Sequence, residues 1–317
     1  MKSRSWSSPS ANRLLLPCAL LATVAWSTGC HNLHLDSWNP EKSGKATKDS
    51  SSAQNQNPPG KYQFRVSQYV FRSDFEVKRD LPIFRELADL RDQVYQELQL
   101  PGANTFVEVF LFENQEAYER FMRARYPDLP KRRAFFVAQP RPGLSEELLV
   151  YTYWGDRIHE DLRHELTHAL LHSVLKDVPL WLDEGLAEYF EVPPDSKGIN
   201  VRHLEHIRRG PDGPFKPDLN RLEQLTQVQQ MTPAEYREAW AWVHFMLHEK
   251  PEAKTVLTNF LQQLRKTANP GLLGPRLVAV CPGLNEALVQ HLARLDLEAG
   301  TQRVQANTPA PAAQPVK

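Results

Sequence analysis

An excess of charge of either sign is missing from this 317-residue chain, in which 38 lysines and arginines face 38 aspartates and glutamates. A nucleic-acid binder held mainly by phosphate contacts needs a basic excess, so the balance argues against that class. Long apolar runs are missing too. The charge-free stretch Leu14 to Trp26 falls short of the about 20 residues that a membrane-spanning helix needs. No G-x-S-x-G, G-x-G-x-x-G or Walker-type loop occurs, which removes three common catalytic and phosphate-binding signatures. Cysteine is scarce, with three residues and no C-x-x-C pair, so the fold must stand on its hydrophobic core without a disulfide framework. What remains, at 41% hydrophobic and 24% charged, is an ordinary globular composition rather than a disordered one.

The two ends read as appendages. Lys2, Arg4 and Arg13 lead into the apolar run, the pattern of an export signal. Ser27-Thr28-Gly29-Cys30 resembles a bacterial lipobox, with Ser27 where leucine is usual. That resemblance implies a signal segment over 1–30, lipidation of Cys30, a membrane anchor through the lipid, and a place in the cell envelope. Cleavage by an ordinary signal peptidase after Ala25 is the alternative. With the signal and Cys18 removed and Cys30 acylated, Cys281 is left as a packed small hydrophobe without a partner. Residues 31–60 are polar and rich in Ser, Asn, Gln and Lys, a tether, and 298–317 form a Pro- and Ala-rich tail. One domain of two lobes is expected over 61–297.

Within that domain, Tyr62 to Phe71 alternates as one half-buried strand does, and Leu81 to Leu98 carries helical apolar spacing up to Pro101-Gly102. A strand over Phe106 to Phe112 and a helix over Gln115 to Tyr126 follow. Arg133 to Ala138 and Glu147 to Trp154 read as two more strands around a turn at Pro140-Arg141-Pro142-Gly143. Helical patterns occupy the rest. The expected fold class is α+β: a small mixed sheet with a helix in the N-terminal lobe, then a helical C-terminal lobe.

His164-Glu165-Leu166-Thr167-His168 matches H-E-x-x-H. Leu162, Leu166, Ala169 and Leu170 give it an inward stripe, so a helix is expected. The two histidines then share one face, a turn apart, and both imidazoles can reach one metal at about 2.0–2.1 Å. Glu165 is turned about 100° around the helix, where it can take a proton from a metal-activated water. A second helix begins thirteen residues on, after Pro179: Trp181-Leu182-Asp183-Glu184-Gly185-Leu186-Ala187-Glu188-Tyr189-Phe190. It can supply the third protein ligand that a catalytic zinc requires, and Gly185 would allow a close approach to another element.

The two helices together resemble the gluzincin metallopeptidases, the group of thermolysin and of aminopeptidases with W-L-x-E-G-x-A. The stretch Tyr62 to Met246 is also similar to an uncharacterised family of gluzincin-like proteins borne on bacterial lipoproteins. The resemblance implies a zincin-like fold, one Zn2+ per chain held by His164, His168 and Glu184, and a peptide or protein substrate cleaved by a metal-activated water. It implies that Glu188 holds the His164 imidazole, and leaves Asp183 as a surface acid or an outer support. It further implies an oxyanion donor from the second lobe, Tyr236 or His244, and substrate lying along an edge strand, for which Leu148 to Tyr153 is the choice by chain order. No G-x-M-E-N exopeptidase signature is present.

Three other features carry less. His172 continues the histidine stripe but stands about 12 Å along the axis from His164, too far to share one metal. Thr232-Pro233-Ala234-Glu235 is a capping-box start for the helix bearing Tyr236 and His244. Lys131-Arg132-Arg133 and Arg208-Arg209 read as solvated basic faces. The rival function is a zinc-binding envelope lipoprotein that cleaves nothing, which would be indifferent to Glu165.

Overall fold

The computed structural model of the protein describes residues 57–140, 146–210 and 213–295. The signal segment, Cys30, nearly all of the tether, Arg141 to Gly143 of the expected turn and the tail lie outside the described residues. The protein is α+β, as its pattern predicts.

Tyr62 to Phe71, expected as one strand, folds as a hairpin of β1 (Tyr62–Val66) and β2 (Tyr69–Ser73). Ser67 makes the turn at φ 52°, in the left-handed region, without the Asn-Gly pair that would announce it. β3 (Val107–Phe112), β4 (Ala134–Gln139) and β5 (Glu147–Tyr153) complete a sheet of order β1-β2-β3-β5-β4. β2, β3 and β5 run parallel, and the outer strands β1 and β4 are antiparallel to their neighbours.

Alternation along β3 and β5 sends side chains to both faces. Val109, Leu111, Leu148 and Val150 join the main core with α1 (Pro82–Glu97) and α3 (Ile158–His172). Phe110, Phe112, Leu149 and Tyr151 meet α2 (Gln115–Arg125) on the other side through Tyr118, Phe121 and Met122. The expected edge strand is corrected here: Leu148 to Tyr153 is interior, paired on both sides, and β4 is the edge beside α3. Its unbroken run Leu148-Leu149-Val150-Tyr151 is what a strand buried on both faces requires, a better guide than chain order.

The helical part comprises α4 (Leu180–Phe190), α5 (Val201–Arg209), the single turn α6 (Leu219–Leu222), α7 (Pro233–His248), α8 (Pro251–Leu264), α9 (Gly274–Val280) and α10 (Leu284–Arg294). α7 is its axis, buried continuously from Glu238 to Leu247. Thr232 caps it as its sequence predicts, with Glu235 reaching back to the Thr232 backbone N–H at 2.8 Å. α4 lies directly on α7 because position 185 is glycine. A Cβ there would stand 2.6 Å from the Ala239 carbonyl oxygen. Arg163 of α3 donates to the Phe190 carbonyl at 2.9 Å, which ties the end of α4 to the motif helix. Cys281 is buried, as a packed hydrophobe should be. No helix among the described residues is long and apolar enough to cross a membrane.

Candidate metal centre

α3 opens with Glu160 and Asp161, acids that suit a helix N-terminus, and buries Leu162, Leu166, Ala169 and Leu170. That fixes the helix rotation, so His164 and His168 face α4 with their rings 5.0 Å apart. Glu184 answers from α4. Its Oε2 stands 3.5 Å from His164 Nε2 and 3.6 Å from His168 Nε2. The same oxygen is buried and has no hydrogen-bond partner. Tetrahedral ligands at about 2.0–2.1 Å from zinc stand about 3.3–3.4 Å from one another. The two carboxylate–imidazole separations are close to that value, and all three ligand atoms lie within 4.8 Å of one another, so the trio fits such an ion.

A carboxylate stands behind each imidazole, and only the one behind His164 is hydrogen-bonded to it; the buried His168 Nδ1 has no hydrogen-bond partner. His164 Nδ1 bonds Glu191 Oε2 at 3.0 Å, and His168 Nδ1 lies 3.0 Å from Asp183 Oδ2. The expectation for Glu188 is thus corrected. Glu184, Glu188 and Glu191 form one stripe along α4 and its C-cap, but it is Glu191 that reaches His164. Glu188 turns to α5, where His203 Nε2 takes its Oε2 at 2.7 Å. Asn200, the N-cap of α5, links the two acids, donating to Glu188 Oε2 at 3.4 Å and to Glu191 Oε1 at 3.0 Å. Asp183 is a support rather than a surface acid. His172 is no bystander, because its Nε2 meets the same Asp183 Oδ2 at 3.0 Å.

Electrostatics follow from these pairs. Burial alone would lower the His164 pKa, but the carboxylates of Glu184 and Glu191 outweigh it and hold the imidazole well above its ordinary value. His168 is likewise disfavoured by burial, yet Asp183 and Glu184 push it up to about 10. Glu184 is held well below the carboxylate range by the two imidazoles, against the opposing effect of burial. Glu165 goes the other way: burial raises its pKa, and its cationic neighbours only partly offset that. Burial and the neighbouring Glu188 lift Glu191 to about 7.

Residues 158–269 match the family described as "Protein of unknown function (DUF1570)". The matched stretch starts at the first residue of α3 and ends beyond α8, so it takes in both helices of the centre and leaves out the sheet. No curated protein matches the chain.

A cleft of about 490 Å³ opens onto this matched region, lined by His164, Glu165, Glu188, His203 and Tyr236 and closed on one side by Arg132 to Ala134 at the start of β4. Tyr236 reaches the centre, its hydroxyl donating to Glu184 Oε1 at 3.4 Å. His244 does not. Two turns further along α7, it is buried against His291, with Nδ1 2.8 Å from His291 Nε2. The basic runs also need correction. Arg132 bonds the Tyr236 hydroxyl, Arg133 pairs with Asp161, and Arg208 donates at 2.9 Å to the Leu292 carbonyl at the end of α10. Short surface-like runs hide such roles because each arginine serves a different, distant partner. Arg132, Glu191, Asn200 and His203 are the site residues that sequence reasoning passed over. Only Glu191 left a signal there, as the last member of the acidic stripe.

Proposed function

We propose that the protein hydrolyses peptide bonds with the help of one zinc ion held by His164, His168 and Glu184. The observation that carries this reading is Glu184 Oε2, buried without a hydrogen-bond partner and facing both Nε2 atoms beside a cleft that Glu165 lines. When bound, zinc supplies a Lewis acid that polarises a peptide carbonyl and acidifies water. Glu165 takes the proton of the attacking water and delivers it to the leaving amine. A base raised toward neutrality by burial suits both transfers. Tyr236 donates its hydroxyl hydrogen to the oxyanion that forms. Glu191 keeps the His164 imidazole in the tautomer whose Nε2 is free, and the Asp183 carboxylate behind His168 favours a proton on its Nδ1. The cleft admits an extended peptide or protein segment, and the envelope location and lipid anchor rest on the N-terminal sequence.

The test is digestion of a peptide library by the zinc-loaded protein and its Glu165→Gln variant. Cutting by the wild type, slowed by about 10²–10⁴-fold in the variant, is the expected result. Equal cutting by both removes Glu165 from its role. Cutting by neither leaves the non-catalytic zinc lipoprotein as the better account.

A further inference from the structure

Arg132 stands just before β4 and lines the cleft together with residues of α3 and α4. Its side chain is only 30% exposed and lies against the rings of Phe135 and Tyr236, 5.9 and 5.6 Å from their centroids. Nη2 donates to the Tyr236 hydroxyl oxygen, while Nη1 lies 3.8 Å from Glu184 Oε1. Tyr236 donates to that same oxygen at 3.4 Å. The Glu184 carboxylate is therefore divided: Oε2 faces the imidazoles, and Oε1 faces Tyr236 and Arg132.

Retention of a metal does not explain this arrangement. A fixed positive charge beside a ligand carboxylate repels an incoming cation and weakens the carboxylate as a donor. It favours negative charge that develops in the cleft, where Arg132, Tyr236 and Glu165 are all exposed to a substrate. A phenol oxygen that accepts from a guanidinium on one side has its hydrogen directed to the other, here toward Glu184 Oε1.

We propose that Arg132 is a positioning residue that aims and polarises the Tyr236 hydroxyl, so that this hydroxyl binds the tetrahedral oxyanion of a peptide under hydrolysis. A hydroxyl so aimed binds tetrahedral anions such as phosphinic peptides far better than planar amides. This deepens the peptidase reading and rests on it.

The test is a double-mutant cycle on the zinc-loaded protein, using Arg132→Gln, Tyr236→Phe and their combination. Affinity for a phosphinic peptide, kcat and KM on a cleaved peptide, zinc content and melting temperature are read for each. Tyr236→Phe should weaken phosphinic binding and kcat by about 10²–10³-fold with KM nearly unchanged. Arg132→Gln should cost at least about 10-fold in the same two quantities, and little more when added to Tyr236→Phe, because it acts through that hydroxyl. Arg132→Lys should recover part of the loss, and zinc content should hold throughout. Fully additive losses, or undiminished phosphinic binding by Arg132→Gln, overturn the inference and leave the peptidase reading intact. A drop in zinc content alone would make Arg132 a support for the metal and likewise overturn it. A wild type that neither binds the phosphinic peptide nor cuts overturns both.

Discussion

Helices α3 and α7 both set histidines one turn apart, and of the pairs His164/His168 and His244/His248 only the first shares a carboxylate in front. His164 and His168 on α3 have their rings 5.0 Å apart, and His244 and His248 on α7 are closer still, at 4.5 Å. Spacing is therefore not what separates them. Each α3 imidazole has a carboxylate behind it and shares a third in front. On α7, His244 meets another histidine, His291, and His248 Nε2 meets the Tyr189 hydroxyl at 2.8 Å. Carboxylates raise the first pair, while burial and neighbouring histidines lower the second. Acids, more than imidazoles, set the first pair apart from the second.

Removing imidazoles from each helix tests this contrast most severely. His168→Ala should abolish zinc retention on dialysis, a loss well beyond the about 10–100-fold expected for an outer partner. His244→Ala should leave zinc bound and instead cost about 2–4 kcal/mol of stability, as large-to-small changes in packed cores do. Zinc per chain and urea midpoints distinguish the two.

Next come the supporting acids. Asp183→Ala and Glu191→Ala should each weaken zinc by about 10–100-fold in competition with a chromophoric chelator, and Glu188→Gln should weaken it least. Equal effects of Glu188→Gln and Glu191→Ala would undo the assignment of Glu191 to His164.

A third variant probes how α4 is seated. Gly185→Ala forces a methyl group onto the Ala239 carbonyl and should destabilise the fold by about 1–3 kcal/mol, with weaker zinc binding as Glu184 shifts. Unchanged melting and unchanged zinc affinity would show that the contact is slack.

The smallest expected effect is on pH. His244, His248 and His291 have folded pKa values below the ordinary histidine value, each mainly through burial. Their contribution to stability is present above about 6.5, the unfolded value, and is lost as pH falls through the folded ones. The α3 pair behaves oppositely in the metal-free protein, contributing below that value and losing it as pH rises, through about 10 for His168. These contributions oppose one another between pH 7.5 and 5.5, so the His244 share is read as a difference: over that range the urea midpoint of metal-free His244→Leu should fall less, or rise more, than that of the metal-free wild type.

Legibility in the sequence tracked how local the determinant was. The motif helix, the Pro-started α4 and the capped α7 were readable because apolar spacing and caps act within one element. The Ser67 turn was not, since a serine in the left-handed region leaves no compositional mark. Glu184, Glu188 and Glu191 could be read as one stripe. Which of them meets His164 depends on His203 arriving from α5 to engage Glu188, a contact that no spacing encodes. Tyr236 and His244 looked equivalent because they share a face. Two turns of helix carry one into the cleft and the other into the core. Arg132 was hidden for the same reason, its partner lying 104 residues away.

Two α3 imidazoles and one α4 carboxylate converge on a point where a single cation would be held. X-ray absorption at the zinc edge, on the zinc-loaded chain after removal of excess metal, tests it most directly. The expected spectrum shows one zinc per chain with two histidine nitrogens at about 2.0–2.1 Å and oxygen completing the sphere, and Glu184→Ala should disrupt it. A chain that retains no zinc, or zinc bound without the histidine pair, would contradict it.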